Sequence, residues 1–591
     1  MERIRWGNVI LAALALLAVG LASLIIVGVN PPPRLSEAVG AIVSQVNPLP
    51  VQAELDSVPL VPVPSPTPAS RPMPTETVAS AARPALAGPP RAVPTLAPLP
   101  VLDDGGFQSE VAVPQSTGQF PLGTITVAFD KEFPPYSPVV LLYQQQLAEK
   151  RGLGVHFVPF DIEDRNRISE TRRGELLRSG GFDVLLTTMN SYALWGGPEV
   201  GRVTAIIGES AGADKAVVQE NVIKTFNDFY GKAVAYSDSS VSEYLLYYML
   251  RAGGVPAEAV IRFGHENLNQ AVRRYGDREA HAVVGWTSSD LDTAIKRPGS
   301  KVLMTSDQFR VTMDVIVTGT RALQSKPAAV QAFHDAWFEA NKVVFEHPDQ
   351  AAFAMKSWNG SWTGVETTED LTDALSEFAQ ATLADNRIMF SQENLSLLEE
   401  RYKDAEAVWA WGGRNVKQLV RDQDLPTVFD PTFVRKSAQD ASLTSTRPPV
   451  NPTFHLTAKP EVKGLSPDEQ SRLQTVAVLD VKQVEFEQGS AQLSASARQH
   501  IEASVIPVLQ NTVGTYLKVE GSAGWPEKAG LTEATVNGLA FERARAVQDY
   551  IIKFGVPVER LVLGTTLPVC RECKDAGQIQ RSNTVVFSLT N

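Results

Sequence analysis

The chain has 591 residues, 43% of them hydrophobic, which is material for two or three cores because compact domains run about 100 to 250 residues. With 54 Lys and Arg against 66 Asp and Glu the formal charge is -12, so the chain has no electrostatic reason to approach nucleic acid or an anionic lipid surface. Its 2 cysteines and 7 histidines exclude a cysteine-rich metal module, and no histidine lies near the cysteine pair.

The predicted elements begin with Val9 to Val29, an uncharged apolar run closed by Pro31, Pro32 and Pro33. Such a run crosses a hydrocarbon core of about 30 Å as a helix. A secretory signal peptide is the competing reading, but its apolar part usually spans only about 7 to 15 residues and ends at a small-residue cleavage site. Arg3 and Arg5 stand on the short amino-terminal side, so the positive-inside tendency keeps Met1 in the cytoplasm and sends the rest outward. Residues 1–30 are therefore read as a cytoplasmic tip and single-pass membrane anchor, with the domains periplasmic or extracellular. Residues 31–120 hold roughly half of the 40 prolines and cannot pack a core. They are expected to form a disordered, polyproline-rich linker of up to about 3.1 Å per residue.

Order is predicted from about residue 121. TITVAFD, FDVLLTT, KAVAYS, HAVVGW and DVIVTGT alternate with amphipathic segments, the pattern of an α/β domain, here residues 121–438. Val330, Phe333, His334, Trp337, Phe338, Asn341 and Val344 recur at helical spacing, which makes Trp337 a packing residue. Three loop signatures follow predicted strands. In Glu209-Ser210-Ala211-Gly212-Ala213-Asp214, small residues admit a ligand to backbone donors, and Ser210 and Asp214 can bond it. Ser239 and Ser240 open the helix VSEYLLYYMLRAGG, whose unpaired N–H groups suit an anion; Ser240 with Glu243 also reads as a capping box, and both readings stand. Trp286 closes the strand HAVVGW as an aromatic wall of a cleft or as a core residue.

These segments, with ESAGADKAVV, FNDFYGKAVAYSDSSVSEYLLYYMLRAGG, HAVVGWTSSDLDTA, MDVIVTGTRAL and KPAAVQAFHDAWFEANKVVFEHPDQA, make Thr124 to Val416 resemble a periplasmic substrate-binding protein of the nitrate, sulfonate, taurine and thiamine-precursor group. The resemblance implies a bilobal type II periplasmic-binding-protein fold closing on a hinge. It nominates Ser210, Asp214, Ser239, Ser240, Trp286, Asp314 and Tyr136 as ligand-binding residues, Asp314 having capping or hinge bonding as its alternative. The implied ligand is small and anionic, of the sulfonate or nitrate kind.

Residues 439–473 read as a second linker. Beyond it, residues 474–591 read as strand, helix, strand, helix and two further strands, with Ala540, Ala544, Val547, Ile551 and Phe554 on one helix face and Glu542, Arg543, Arg545 and Asp549 largely off it. FEQGSAQLS, NGLAFERARAVQDYIIKFGVPVERL and QRSNTVVFSL resemble the opening strand and loop, the central helix and the last strand of an OmpA-type peptidoglycan-associated domain, a small α/β sandwich. In that family an aspartate and an arginine grip diaminopimelate. The arginine matches Arg543, which also reads as a surface helix charge, and Arg581 and Asn583 belong to the closing motif. Gly524 stands where the acid is expected, with Glu520 and Glu527 as imperfect neighbours, and Thr584 replaces a second arginine. Cys570 and Cys573 read as a local disulfide or two idle thiols.

Together these readings predict a membrane-anchored extracytoplasmic solute-binding protein that contacts the cell wall, with a small-molecule solute, peptidoglycan and an ABC permease or other envelope protein as partner classes. No cofactor, metal site or catalytic group is expected: HExxH, G-x-S-x-G and P-loop motifs are missing. The alternative is an envelope scaffold linking membrane and peptidoglycan, its binding-protein fold empty of ligand. An ion-driven stator is excluded because Val9 to Val29 carries no ionisable group.

Overall fold

The first strand of the computed structural model, β1 (Thr124–Asp130), buries Ile125 and the run Val127 to Phe129 and lies parallel to β2 (Gly154–Phe160) and β3 (Val184–Thr188). The structure describes residues 120–130, 133–160, 169–357, 367–416, 419–445, 463–481, 484–526, 530–568 and 570–591. By contacts the chain divides into Met1–Pro100 and Val101–Asn591, and every described residue belongs to the second unit. The anchor expected at Val9 to Val29, most of the proline-rich linker and Glu527 lie outside the described residues. Among those described, no helix is long and apolar enough to cross a membrane.

After β3 the chain enters β4 (Gly201–Ser210), then crosses to a second sheet built from β5 (Asp214–Gln219), β6 (Ala233–Ser237), β7 (Ile261–His265), β8 (Ala282–Trp286) and β9 (Ser300–Thr305). It crosses back into β10 (Met313–Gly319), and β11 (Phe378–Gln380) completes the first sheet. The first sheet runs β11-β4-β10-β3-β1-β2 and the second β7-β6-β8-β5-β9. Two α/β lobes are thus joined through residues 211–213 and 306–312, each sheet mixing parallel and antiparallel pairs. The predicted strands FDVLLTT, KAVAYS, HAVVGW and DVIVTGT are β3, β6, β8 and β10. Glu209, Ser210 and Asp214, expected in a loop, are strand residues, because the chain passes from one sheet to the other in only three residues.

The helix Pro327–Glu346 buries Val330, Phe333, His334, Trp337, Phe338, Asn341 and Val344, as its spacing predicted. Its buried polar groups are satisfied: His334 bonds Val330 O at 2.8 Å and Thr204 Oγ1 at 2.9 Å, and burial holds the imidazole neutral with a pKa near 4.

The C-terminal unit carries β12 (Thr475–Val478), β13 (Tyr516–Gly521), β14 (Trp525–Pro526), β15 (Leu561–Thr565), β16 (Glu572–Cys573) and β17 (Val585–Thr590). Its main sheet runs β12-β17-β13-β15, with the helix Glu533–Ile551 packed on β13 and β15. The opening strand is TVAV at β12, upstream of the expected FEQGSAQLS, which is irregular in its described part. Two further expectations are corrected. Phe554 lies past the helix in a short 3-10 turn and is 42% exposed, whereas Arg543 is fully buried on the sheet-facing side. This unit is tied to the two-lobed part: Asn227 pairs its side-chain amide with the backbone of Val478 (2.9 and 3.0 Å), and Asn511 donates to Asp404 at 3.1 Å.

Candidate functional site

A crevice of about 650 Å³, counted out to its mouth, opens where the two lobes meet. Its lining comes from the carboxyl ends of parallel strands and from both crossings, the place where open α/β sheets expose loop backbone and helix starts. Asp130 ends β1, Thr187 and Thr188 end β3, Ser210 ends β4, Asp214 begins β5, Ser240 precedes the helix Val241–Ala252, Trp286 ends β8, and Thr312 and Asp314 stand at the start of β10. Tyr136, Phe133, Glu170 and Arg173 complete the wall. Of the residues nominated from sequence, Tyr136, Ser210, Asp214, Ser240, Trp286 and Asp314 come together here.

Strand register explains the convergence. Asp214 and Trp286 are direct cross-strand partners of β5 and β8, and Asp314 faces Thr188 across β10 and β3, so each pair projects to a shared face. Tyr136 donates to Asp314 Oδ1 at 2.7 Å. Burial drives the Asp314 carboxyl well above its usual range; the Tyr136 bond opposes this, while the neighbouring Asp214 and Asp130 charges add to it. Burial likewise raises Asp214 to about 6, with the Ser210 and Thr312 hydroxyls and Lys215 pulling back and Glu377 pushing up. Asp214 Oδ2 and Asp314 Oδ2 are both buried without a hydrogen-bond partner.

Several nominated donors are already committed. The Ser210 hydroxyl shares a 2.7 Å hydrogen bond with Ser306, whose Oγ also accepts from Gly212 N at 2.9 Å and Asp214 N at 3.1 Å. Ser210 and Ser306 thus lock the two crossing segments together. Ser240 caps its helix, accepting from Ser242 N, and donates to Ser237 O at 2.7 Å. The capping box is displaced by one residue: Glu243 accepts from Ser239 N at 2.7 Å and is held by Arg414 and Tyr247. Ser239 does not line the crevice. It sits at a positive φ of 54°, and its hydroxyl turns to Asp238.

Sequence reasoning missed Asp130, Glu170, Arg173, Thr188, Thr312 and Ser306. Asp130 had a signal, as the last residue of a predicted strand; Arg173 had none, lying within a helix. Arg173 is buried, clamps Asp130 with two bonds of 2.8 and 2.9 Å, reaches Glu170 at 3.2 Å and covers the Phe160 ring at 4.2 Å.

Residues 170–351 match the family model described as NMT1/THI5 like. The match begins at the helix carrying Glu170 and Arg173 and spans both crossings. No curated protein matches the chain in sequence. In structure the chain is similar to the periplasmic aliphatic sulphonate binding protein SsuA from Escherichia coli, at 18% identity, covering 50% of this chain and 95% of that one with a TM-score of 0.39. It is similar to the periplasmic nitrate-binding protein NrtA from Synechocystis PCC 6803 at 13% identity, covering 56% and 93% with a TM-score of 0.41. A sulfonate-binding SsuA from Methylobacillus flagellatus is 15% identical, with 54% and 95% covered and a TM-score of 0.42.

The residues nominated for peptidoglycan take other work. Arg543 donates to Ser490 O (2.8 Å), Ser522 O (2.8 Å), Asn583 Oδ1 (2.7 Å) and Glu487 O (3.1 Å), so most of its N–H groups are used inside the unit. Asn583, also buried, accepts in addition from Gly524 N at 3.1 Å. A Cβ on Gly524 would meet Ser582 Cβ at 2.5 Å and Cys573 Sγ at 2.9 Å, so the space an acid needs is filled. Cys570 and Cys573 form a disulfide against that position. Glu520 pairs with Lys518 at 2.9 Å, and Arg581 is exposed.

Proposed function

We propose that residues 121–438 form an extracytoplasmic solute-binding domain, in which a small molecule settles in the crevice and the lobes close about the paired crossings at 211–213 and 306–312. One observation carries this reading: nominated residues from both lobes line a single cavity at the hinge. Bilobal proteins of this build enclose ligands by hinge motion. The NMT1/THI5-like match over residues 170–351 supports it. The domain performs no covalent chemistry, and its partners are the solute and an ABC permease or other envelope protein. In this reading Val9 to Val29 tethers the chain to the cytoplasmic membrane, and the Cys570–Cys573 disulfide suits the oxidising side. In this reading the C-terminal unit is an OmpA-type module, although its committed Arg543 and filled Gly524 site argue against a diaminopimelate clamp.

A second reading, an envelope scaffold with an idle crevice, is favoured by the bonding of the C-terminal unit to Asn227 and Asp404 of the two-lobed part. Thermal unfolding of the detergent-solubilised intact chain separates the two. A true ligand at about 100 times its dissociation constant adds about 2.7 kcal/mol. Stabilisation by a nitrate, sulfonate, phosphonate, pyrimidine or amine supports the receptor, and silence from all of them supports the scaffold.

A further inference from the structure

The described lining of the crevice contains four carboxyl residues, Asp130, Glu170, Asp214 and Asp314, and one cation, Arg173. Arg173 is engaged by Asp130 and Glu170, which leaves Asp214 and Asp314 facing the cavity with no cation bonded to them. Each keeps one buried oxygen, Oδ2, with no hydrogen-bond partner, at 4% and 1% residue exposure. Unsatisfied buried acceptors favour a ligand that brings donors and positive charge. An incoming anion would add further acceptors to a wall where the Ser210 and Ser240 hydroxyls are already committed. At the helix start the Ser242 N–H is already taken by Ser240 Oγ. Phe133, Tyr136 and Trp286 face the same space, and aromatic faces attract cations.

We infer that the crevice takes a small organic cation, an ammonium or amidinium on an apolar or flat body, with Asp214 and Asp314 as its counter-charges and Trp286 as its wall. This rests on the solute-binding reading and narrows it. Without a cation, burial pushes the Asp314 carboxyl up and raises Asp214 to about 6, among the neighbouring charges of Lys215, Glu377, Asp130 and the phenol of Tyr136. A bound cation favours the ionised carboxylates, so it expels protons; an anion would retain them.

The test is calorimetry on the intact chain at pH 6.5 with benzamidinium and butylammonium as cationic probes, and butanesulfonate and nitrate as anionic ones. Repeating each titration in two buffers of different ionisation enthalpy counts protons. The expected result is saturable cation binding with proton release, at least tenfold weaker in Asp214→Asn or Asp314→Asn. Proton release on the unaltered protein keeps the test decisive even if a variant folds poorly. Binding of butanesulfonate or nitrate without the cations overturns the cation assignment and leaves the solute-binding reading standing. If no probe of either sign binds, both are overturned.

Discussion

Tyr136 and Asp314, 178 residues apart, meet through a 2.7 Å buried hydrogen bond that joins the turn after β1 to the strand returning from the second lobe. The bond closes the floor of the crevice and supplies the phenol that steadies Asp314. Tyr136→Phe removes the donor and leaves a second Asp314 oxygen without a partner. The expected loss of stability is about 1–3 kcal/mol, read from urea unfolding of the intact chain. An unchanged midpoint would show that the bond contributes nothing.

Asp214 predicts a distinctive pH dependence. Its carboxyl is raised from 3.8 to about 6 in the folded chain, so between those values the native state binds more protons than the unfolded one. Stability from this group is full below pH 4 and falls as the pH rises to about 6, by about 3 kcal/mol in all. Asp214→Asn removes that slope. The difference in melting temperature between the variant and the parent should therefore move in the variant's favour across pH 4 to 6.5, and a constant difference would refute the shift.

Ser306 holds both crossings. Ser306→Ala takes the acceptor from Gly212 N and Asp214 N, and the exchange partner from Ser210. Asp214 N keeps only a 3.3 Å bond to Ser210 Oγ and the part-buried Gly212 N loses its acceptor, which costs about 1–2 kcal/mol. Hydrogen exchange at Gly212 and Asp214 should accelerate well beyond that of β1, whereas uniform exchange would mean the serine is not a latch.

Arg543 is expected to act as a structural staple. Arg543→Lys keeps the charge but loses the planar fork that reaches Ser490, Ser522, Glu487 and Asn583. The C-terminal unit should lose about 3 kcal/mol, seen as an earlier unfolding step. Sedimentation with purified sacculi at a temperature where the variant stays folded should match the parent. A folded variant that no longer pellets while the parent does would restore Arg543 to a binding role.

Gly524 offers a rescue experiment. Gly524→Asp introduces the acid expected by resemblance, but its Cβ collides with Ser582 and Cys573. Destabilisation of about 1–3 kcal/mol is expected, with partial recovery in the double variant carrying Ser582→Gly. Equal stability of the single variant and the parent would show that the site has room.

Local chemistry was legible in the chain. β-branched runs announced β1, β3, β6, β8 and β10, and helical spacing announced the buried face of Pro327–Glu346, because burial on one side imposes a period that any window displays. Resemblance named six of the crevice residues. What it could not do was tell a ligand donor from a latch: Ser210 and Ser240 have their hydroxyls taken by Ser306 and Ser237, partners known only once the chain is folded. Arg543 looked like a helix surface charge and is buried, since its covering strand and loops arrive from elsewhere in the unit.

Sequence alone determined where most strands and the long helices of the two-lobed part form, for these follow from neighbours within a few residues. Tertiary structure decided the sign of the crevice. Arg173 is cancelled by Asp130 from a strand 43 residues earlier, and Asp214 and Asp314 are left without a cation, because charge balance in a buried space depends on which distant residues the fold brings within hydrogen-bonding reach.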